Sequence, residues 1–277
     1  MSTKYRSLRN HKKKQKQGSN VAAILIFFIS FVIIVGLGYA YMTAQNIHDE
    51  VDPQTFCRKE KLAAITVILI DHTDTINPTQ KAALEVRLWD VARLIPKNSK
   101  IKVYSVSSTS RKILKPEIEL CNPGNGKETS NIIGNPDLAD KRYEEKFKQP
   151  ISKILDQVVN ADAAKESPIM ESLQSVAITS FVGQDKDVAK KKLILVSDLL
   201  EHTDKFSLYN TVPDFEAYKL SQHWRSVKAY LSDVDVEIYT LRRDGYDAVQ
   251  NNKLMNFWTE FFTNQGAHIK HTVPIEG

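Results

Sequence analysis

The sequence predicts a doubly wound, mostly parallel α/β sheet behind an N-terminal membrane-spanning helix. Three observations predict it. Residues 21–42, VAAILIFFISFVIIVGLGYAYM, carry no charge. Residues 63–70, AAITVILI, form a continuous apolar run rich in β-branched side chains, as strands covered on both faces do. From there to the end such runs alternate with segments of helical periodicity, the order that builds a parallel sheet with helices on both faces.

The charge distribution explains the first element. The chain has 277 residues, 42% hydrophobic and 26% charged, which is a globular composition. Its net charge of +5 is local: residues 1–20 hold seven Lys and Arg and no acid, and without them the remainder is −2. A basic nucleic-acid footprint is therefore excluded for the folded part. At about 1.5 Å per residue the uncharged run reaches about 33 Å, enough to cross a hydrocarbon core of about 30 Å. The positive-inside rule keeps residues 1–20 in the cytoplasm and sends the rest outward. A cleaved signal peptide is the competing reading, with Gly38-Tyr39-Ala40 as its cleavage site, but its apolar core is usually about 7–15 residues. The expected organisation is a basic tail (1–20), a transmembrane signal anchor (21–42), a juxtamembrane stalk (43–60) and an α/β domain (61–277).

Within the domain, Pro78 opens a helix striped by Leu84, Leu88, Val91 and Leu94 and stopped by Pro96. Residues 101–106, IKVYSV, alternate as a second strand. Residues 113–120 read as an edge strand, because Pro116 cannot sit centrally. Residues 121–137 are a Gly/Pro/Asn loop, 138–160 a charged amphipathic helix with a break at Pro150, and Pro168 opens a helix through about Phe181. Leu193 to Val196 is a strand. Pro213 to Leu231 reads as one helix and Val234 to Leu241 as a strand. Leu254, Phe257, Trp258, Phe261 and Phe262 stripe a helix ending near Gly266, and Ala267 to Val273 is a last strand. Cys57 and Cys121 are the only cysteines and both fall on the outward side, where an even pair is expected to form a disulfide.

Three separated pieces carry the chemistry: Asp71-His72-Thr73-Asp74-Thr75, Ser167-Pro168-Ile169 and Val196-Ser197-Asp198. The first and third follow strand-like runs, and strand ends in such sheets converge on the edge where ligands bind. Asp71, Thr73, Thr75, Ser167 and Asp198 offer five hard oxygens, a set that suits Mg²⁺, with Mn²⁺ or Ca²⁺ as alternatives, and leaves a coordination position open. Each residue also has an ordinary use. Asp71, Thr73, Thr75 and Ser167 could cap the helices that follow them, and Asp198 could close a turn.

In order and setting, these pieces resemble the von Willebrand factor A (VWA) family. It has a Rossmann-like sheet and a metal-ion-dependent adhesion site (MIDAS) built from Asp-x-Ser-x-Ser after the first strand, a Thr before a helix and an Asp ending the fourth strand. Here Thr73 and Thr75 replace Ser, Ser167 replaces Thr, and Leu199 stands after Asp198 where the family often has Gly. The resemblance spans about residues 60–275. It implies metal-dependent protein–protein interaction in the cell envelope, with an acidic residue of the partner completing the metal shell. The anchor and its basic tail predict a single-pass protein, and the short anchor with a two-cysteine ectodomain and no surface rich in Asn-x-Ser/Thr points to a bacterial inner membrane and a periplasmic domain.

Catalysis is not expected. The phosphohydrolase alternative needs a second carboxylate two residues after Asp71, and Thr73 stands there. No Gly-x-Ser-x-Gly, Walker A or Gly-x-Gly-x-x-Gly occurs. The remaining alternative is a structural envelope subunit with a degenerate, metal-free site. Loop residues His202, Thr203 and Asp204 read as exposed polarity, and Trp89, Trp224 and Trp258 as packing residues.

Overall fold

The computed structural model describes residues 22–42, 51–58, 62–71, 76–106, 113–129, 134–159, 165–183 and 185–275. They fall into two units, Met1–Val51 and Asp52–Gly277. In the first, helix α1 (Ala22–Met42) is long and apolar enough to cross a membrane.

The second unit is built on one six-stranded sheet. Its strands are β1 (Ile65–Ile70), β2 (Lys100–Ser105), β3 (Ile118–Cys121), β4 (Lys191–Ser197), β5 (Val234–Leu241) and β6 (His268–Ile275). Their order is β3-β2-β1-β4-β5-β6, all parallel except the β3 edge. The central β1 is buried at all six positions. Ile65, Val67 and Leu69 enter one core and Ile68 and Ile70 the other. Each such side chain contributes about 1.5–3 kcal/mol. The apolar run is continuous because both of its faces are covered.

One face is covered by α2 (Pro78–Arg93), through Leu84, Leu88 and Ala92, and by α4 (Gln149–Val159), through Ile151, Leu155, Val158 and Val159. The other is covered by α5 (Ile169–Val176) and α8 (Asn252–Asn264), whose Phe257, Trp258, Phe261 and Phe262 pack as an aromatic block. Helix α3 (Pro136–Tyr143) runs through a π turn, Glu144–Lys148, into α4. Pro150 therefore breaks nothing: as the second residue of α4 it sits on a wider turn.

The single helix expected over 213–231 is corrected to two short ones, α6 (Phe215–Lys219) and α7 (Gln222–Ser226). Ser221 is the reason: its hydroxyl accepts from the Trp224 amide and starts a new helix. The helix expected from 168 holds α-form only to Val176 and continues as a π segment, Ala177–Val182.

Cys57 and Cys121 are disulfide-bonded with a Cα–Cα distance of 4.8 Å. The bridge ties the segment before β1 to the end of the β3 edge strand. Closing a loop of this length contributes about 4 kcal/mol in the chain-entropy model.

Candidate functional site

The carboxyl end of β1 places Asp71 at the sheet edge, where its amide donates to the Val196 carbonyl of β4 at 2.8 Å. One carboxylate oxygen, Oδ2, accepts from Ser167 Oγ at 3.0 Å and from Ser197 Oγ at 2.9 Å. All three residues are buried. All three expected pieces thus meet on one oxygen, Ser167 from 96 and Ser197 from 126 residues away. Thr73 and Thr75, with His72 and Asp74, lie outside the described residues.

The capping positions at the starts of α2 and α5 are taken by other residues. Asn77 caps α2, its side chain accepting from Gln80 while Gln80 returns to the Asn77 amide. Pro168 holds the N-cap position of α5 and makes no side-chain cap bond there, so Ser167 is not a helix cap. Instead its backbone pairs with His202 in both directions, at 2.8 and 2.9 Å. His202, expected as mere loop polarity, is half-buried and pins the Ser167 loop against the strand edge.

Asp198 follows Ser197 off the end of β4. Its Oδ1 accepts from the Leu200 amide at 2.8 Å, which is the turn role, and its Oδ2 lies 3.6 Å from Arg243 Nη1. That guanidinium stacks on Tyr209 and Tyr246, with centroids 4.9 and 4.5 Å away, and bonds the Tyr209 hydroxyl. Leu199 takes the left-handed conformation, φ 64°. Glycine adopts it without cost, while a side chain pays about 1–2 kcal/mol. Surrounding bonds hold it: its amide donates to Ser197 Oγ at 2.8 Å and its carbonyl accepts from Trp258 Nε1 at 2.9 Å. Beside Asp198 opens a cleft of about 580 Å³, lined by Thr240, Arg242, Asp247 and Gln250 among others.

A scan of family models and a search of curated proteins gave no match. Among solved structures the chain is similar to the SpRpn10 VWA domain, at 11% identity and TM-score 0.39, over 78% of this chain and 90% of that one. It is also similar to an aerotolerance-related membrane protein from Bacteroides fragilis carrying multiple mutations to serines, at 9% identity and TM-score 0.38, over 77% and 92%. A third is the ArnB paralog VWA2 from Sulfolobus acidocaldarius, at 13% identity and TM-score 0.41, over 76% and 41%. At these identities and TM-scores the neighbours add no argument about this chain; what its own structure shows is the expected doubly wound, mostly parallel sheet in the order β3-β2-β1-β4-β5-β6.

Next to the strand edge lies a second buried polar group that the sequence pattern does not mark. Glu201, Glu171 and His223 bring one ligand atom each to within 4.8 Å of one another. Glu201 Oε2 accepts from the Met170 amide at 2.8 Å. Complete burial, and then the charge of Glu171, push the Glu201 carboxyl well above its usual range. Burial also acts to raise Glu171, but the His223 hydrogen bond, its own amide and the His223 charge outweigh it and hold it low. These residues come from the first turn of α5, the loop after β4 and α7. No short spacing links them. The one local signal is a carboxylate directly after the apolar pair Leu199-Leu200.

Proposed function

We propose that this chain is a single-pass, membrane-anchored VWA-like recognition domain whose strand-edge oxygens hold a divalent cation and receive an acidic group of a partner protein. The observation that carries this reading is the meeting of Asp71, Ser167 and Ser197 on one carboxylate oxygen, with Asp198 on the next residue of the strand end. The donor set fits a hard cation: the described members are buried carboxylate and hydroxyl oxygens, released from capping duty by Asn77 and Pro168. Asp71, Thr73, Thr75, Ser167 and Asp198 would hold Mg²⁺, and the ion would supply an open Lewis-acidic position for a carboxylate.

The chain's own residues prepare that position. Ser197 orients Asp71 from below, and the His202 ladder fixes Ser167. Arg243 sits beside Asp198 with its charge turned toward the same edge, so an incoming acid meets two cations. The cleft beside Asp198 gives the rest of the partner somewhere to lie. Recognition is favoured over turnover because the Ser167 and Ser197 hydroxyls are both spent on orienting Asp71. In this proposal residues 1–20 are cytoplasmic, 21–42 span the membrane and 61–277 face the periplasm behind the stalk at 43–60.

The Arg243–Asp198 pair also favours a second reading, in which the guanidinium replaces the metal and the domain docks as a structural subunit. Thermal unfolding of the intact protein in detergent separates the two. At Mg²⁺ a hundredfold above Kd, mass action adds about 2.7 kcal/mol in wild type and nothing in Asp71→Ala. A melting temperature unmoved by millimolar Mg²⁺ or Mn²⁺ sinks the metal-dependent reading, and partner capture that survives both chelator and Asp71→Ala establishes the structural one.

A further inference from the structure

The Glu171–Glu201–His223 group offers three ligand atoms to one point. Tyr218 sets the part of the imidazole. Its hydroxyl lies 3.1 Å from Met170 Sδ and 2.8 Å from His223 Nδ1. A phenol has one proton, and a thioether can only accept. When the phenol gives its proton to the sulfur and accepts from Nδ1–H, Nε2 is the nitrogen whose lone pair a metal can take. Nε2 faces Glu171 Oε1 at 3.5 Å. Glu201 uses Oε2 on the Met170 amide and turns Oε1 inward.

Three atoms are buried without a hydrogen-bond partner here: Glu201 Oε1, Glu171 Oε2 and His223 Nε2. Glu201 is wholly buried and His223 more than nine-tenths so. Unpartnered buried acceptors are costly, and a group of three facing one another calls for a positive centre among them.

We propose that Glu171, Glu201 and His223 form a second cation site, separate from the strand edge, that takes a divalent metal of borderline softness, zinc before others. One imidazole and two carboxylates, with a fourth position toward solvent, are a zinc donor set, whereas Mg²⁺ prefers oxygens and retained water. Ligand atoms about 2.0–2.2 Å from one ion lie no more than about 4.4 Å apart. In a tetrahedral shell they lie about 3.3–3.6 Å apart, so the observed spacing of up to 4.8 Å closes by side-chain rotations that bring the atoms more than about 1 Å nearer. The Tyr218–His223 bond is the outer contact that metal-bound imidazoles carry to fix their tautomer. Glu171 keeps about a quarter of its side chain exposed, which gives the ion its way in. The bound metal would fasten the loop after Asp198 to the first turn of α5 and to α7, bracing the edge from behind.

The test uses the intact, chelator-stripped protein in detergent. Zinc binding is read by titration calorimetry and elemental analysis in wild type, Asp71→Ala, Glu201→Gln and His223→Gln. Glu201→Gln keeps a carbonyl oxygen for the Met170 amide, and near-UV circular dichroism reports its fold. One zinc per chain in wild type and Asp71→Ala, with at least tenfold weaker binding in Glu201→Gln and His223→Gln, is the expected result. Absence of stoichiometric zinc in wild type overturns the proposal. So does undiminished binding in the two site variants, or loss of zinc in Asp71→Ala with the fold intact. Should Glu201→Gln fail to fold, His223→Gln decides alone.

Discussion

Two buried polar groups flank the core of this sheet, and they are built on opposite principles. Toward the amino end of β2, Lys100 and Lys102 point into the protein against Asp185 and Glu119. Lys100 Nζ lies 2.8 Å from Asp185 and 2.9 Å from Glu119, and Lys102 Nζ lies 3.0 Å from Asp185. One turn of pleat further on, Tyr104 bonds Thr179 and Ser180 at 3.1 and 2.9 Å. Two cations meet two anions, and the charges close among themselves. At the carboxyl edge, among the described residues, Asp71, Asp198, Glu171 and Glu201 gather with the Ser167 and Ser197 hydroxyls, the His223 imidazole and the Arg243 guanidinium. Carboxyl groups in that set outnumber cations. A buried charge that is closed by its neighbours is structural, while one whose neighbours share its sign waits for something to arrive.

The largest test of that contrast is Asp185→Asn. It leaves two nearly buried ammonium groups with only Glu119, which is itself about a quarter exposed. Breaking a buried pair from one side costs about 3–5 kcal/mol, and urea unfolding of the protein should show a midpoint lowered accordingly. A loss under about 1 kcal/mol, the size of a surface pair, would mean the layer is wet and the contrast is wrong. The same layer has a pH signature. Burial opposes the Lys100 charge, but its bonds to Asp185 and Glu119 outweigh that and hold its pKa above the ordinary 10.5. A raised amine stabilises fully below its unfolded value and loses that contribution as pH climbs through the folded one. Stability should therefore fall on the alkaline side of 10.5 in wild type, and the Lys100→Met variant should lack that component. An unchanged alkaline limb in the variant would remove Lys100 from the account.

The two groups also differ in how far the sequence announces them. The strand edge was legible because its parts are local: an Asp after an apolar run, a Ser before a Pro, an Asp ending a second run, each in its own structural setting. The strands were legible for the same reason, with β5 matching its expected Val234–Leu241 span and β3 placed at the edge by Pro116. The buried layers were not. In IKVYSV the alternation marks Lys102 as a solvent-facing residue, yet β2 is covered on both faces and Lys102 is buried. Asp185, 83 residues away, with Glu119 at 3.7 Å and the Thr179 carbonyl at 3.4 Å, makes that tolerable. Likewise nothing in the spacing of Glu171, Glu201 and His223 marks them as partners. In the sequence Ser197 stands out only as the residue before Asp198, though its hydroxyl is half of what orients Asp71. Local pattern fixes elements, whereas the closing of charge depends on which elements pack.

A gentler change sharpens the same point. Glu201→Gln replaces a buried carboxyl, facing a carboxylate and an imidazole, by an amide of nearly the same shape that can donate. In chelator-treated protein this should leave stability within about 1 kcal/mol of wild type, since the raised carboxyl already carries the proton whose place the amide takes. With excess zinc the wild type should pull ahead, because the metal binds and stabilises only the chain that keeps its carboxyl group. The gap that opens between the two conditions is the informative quantity, and chemical unfolding with and without zinc measures it. Asp185→Asn should show no such dependence on zinc, being destabilised in both conditions alike. If the two variants behave the same way, the edge and the β2 layer are one kind of structure after all, and the excess of carboxyl groups at the edge has another meaning.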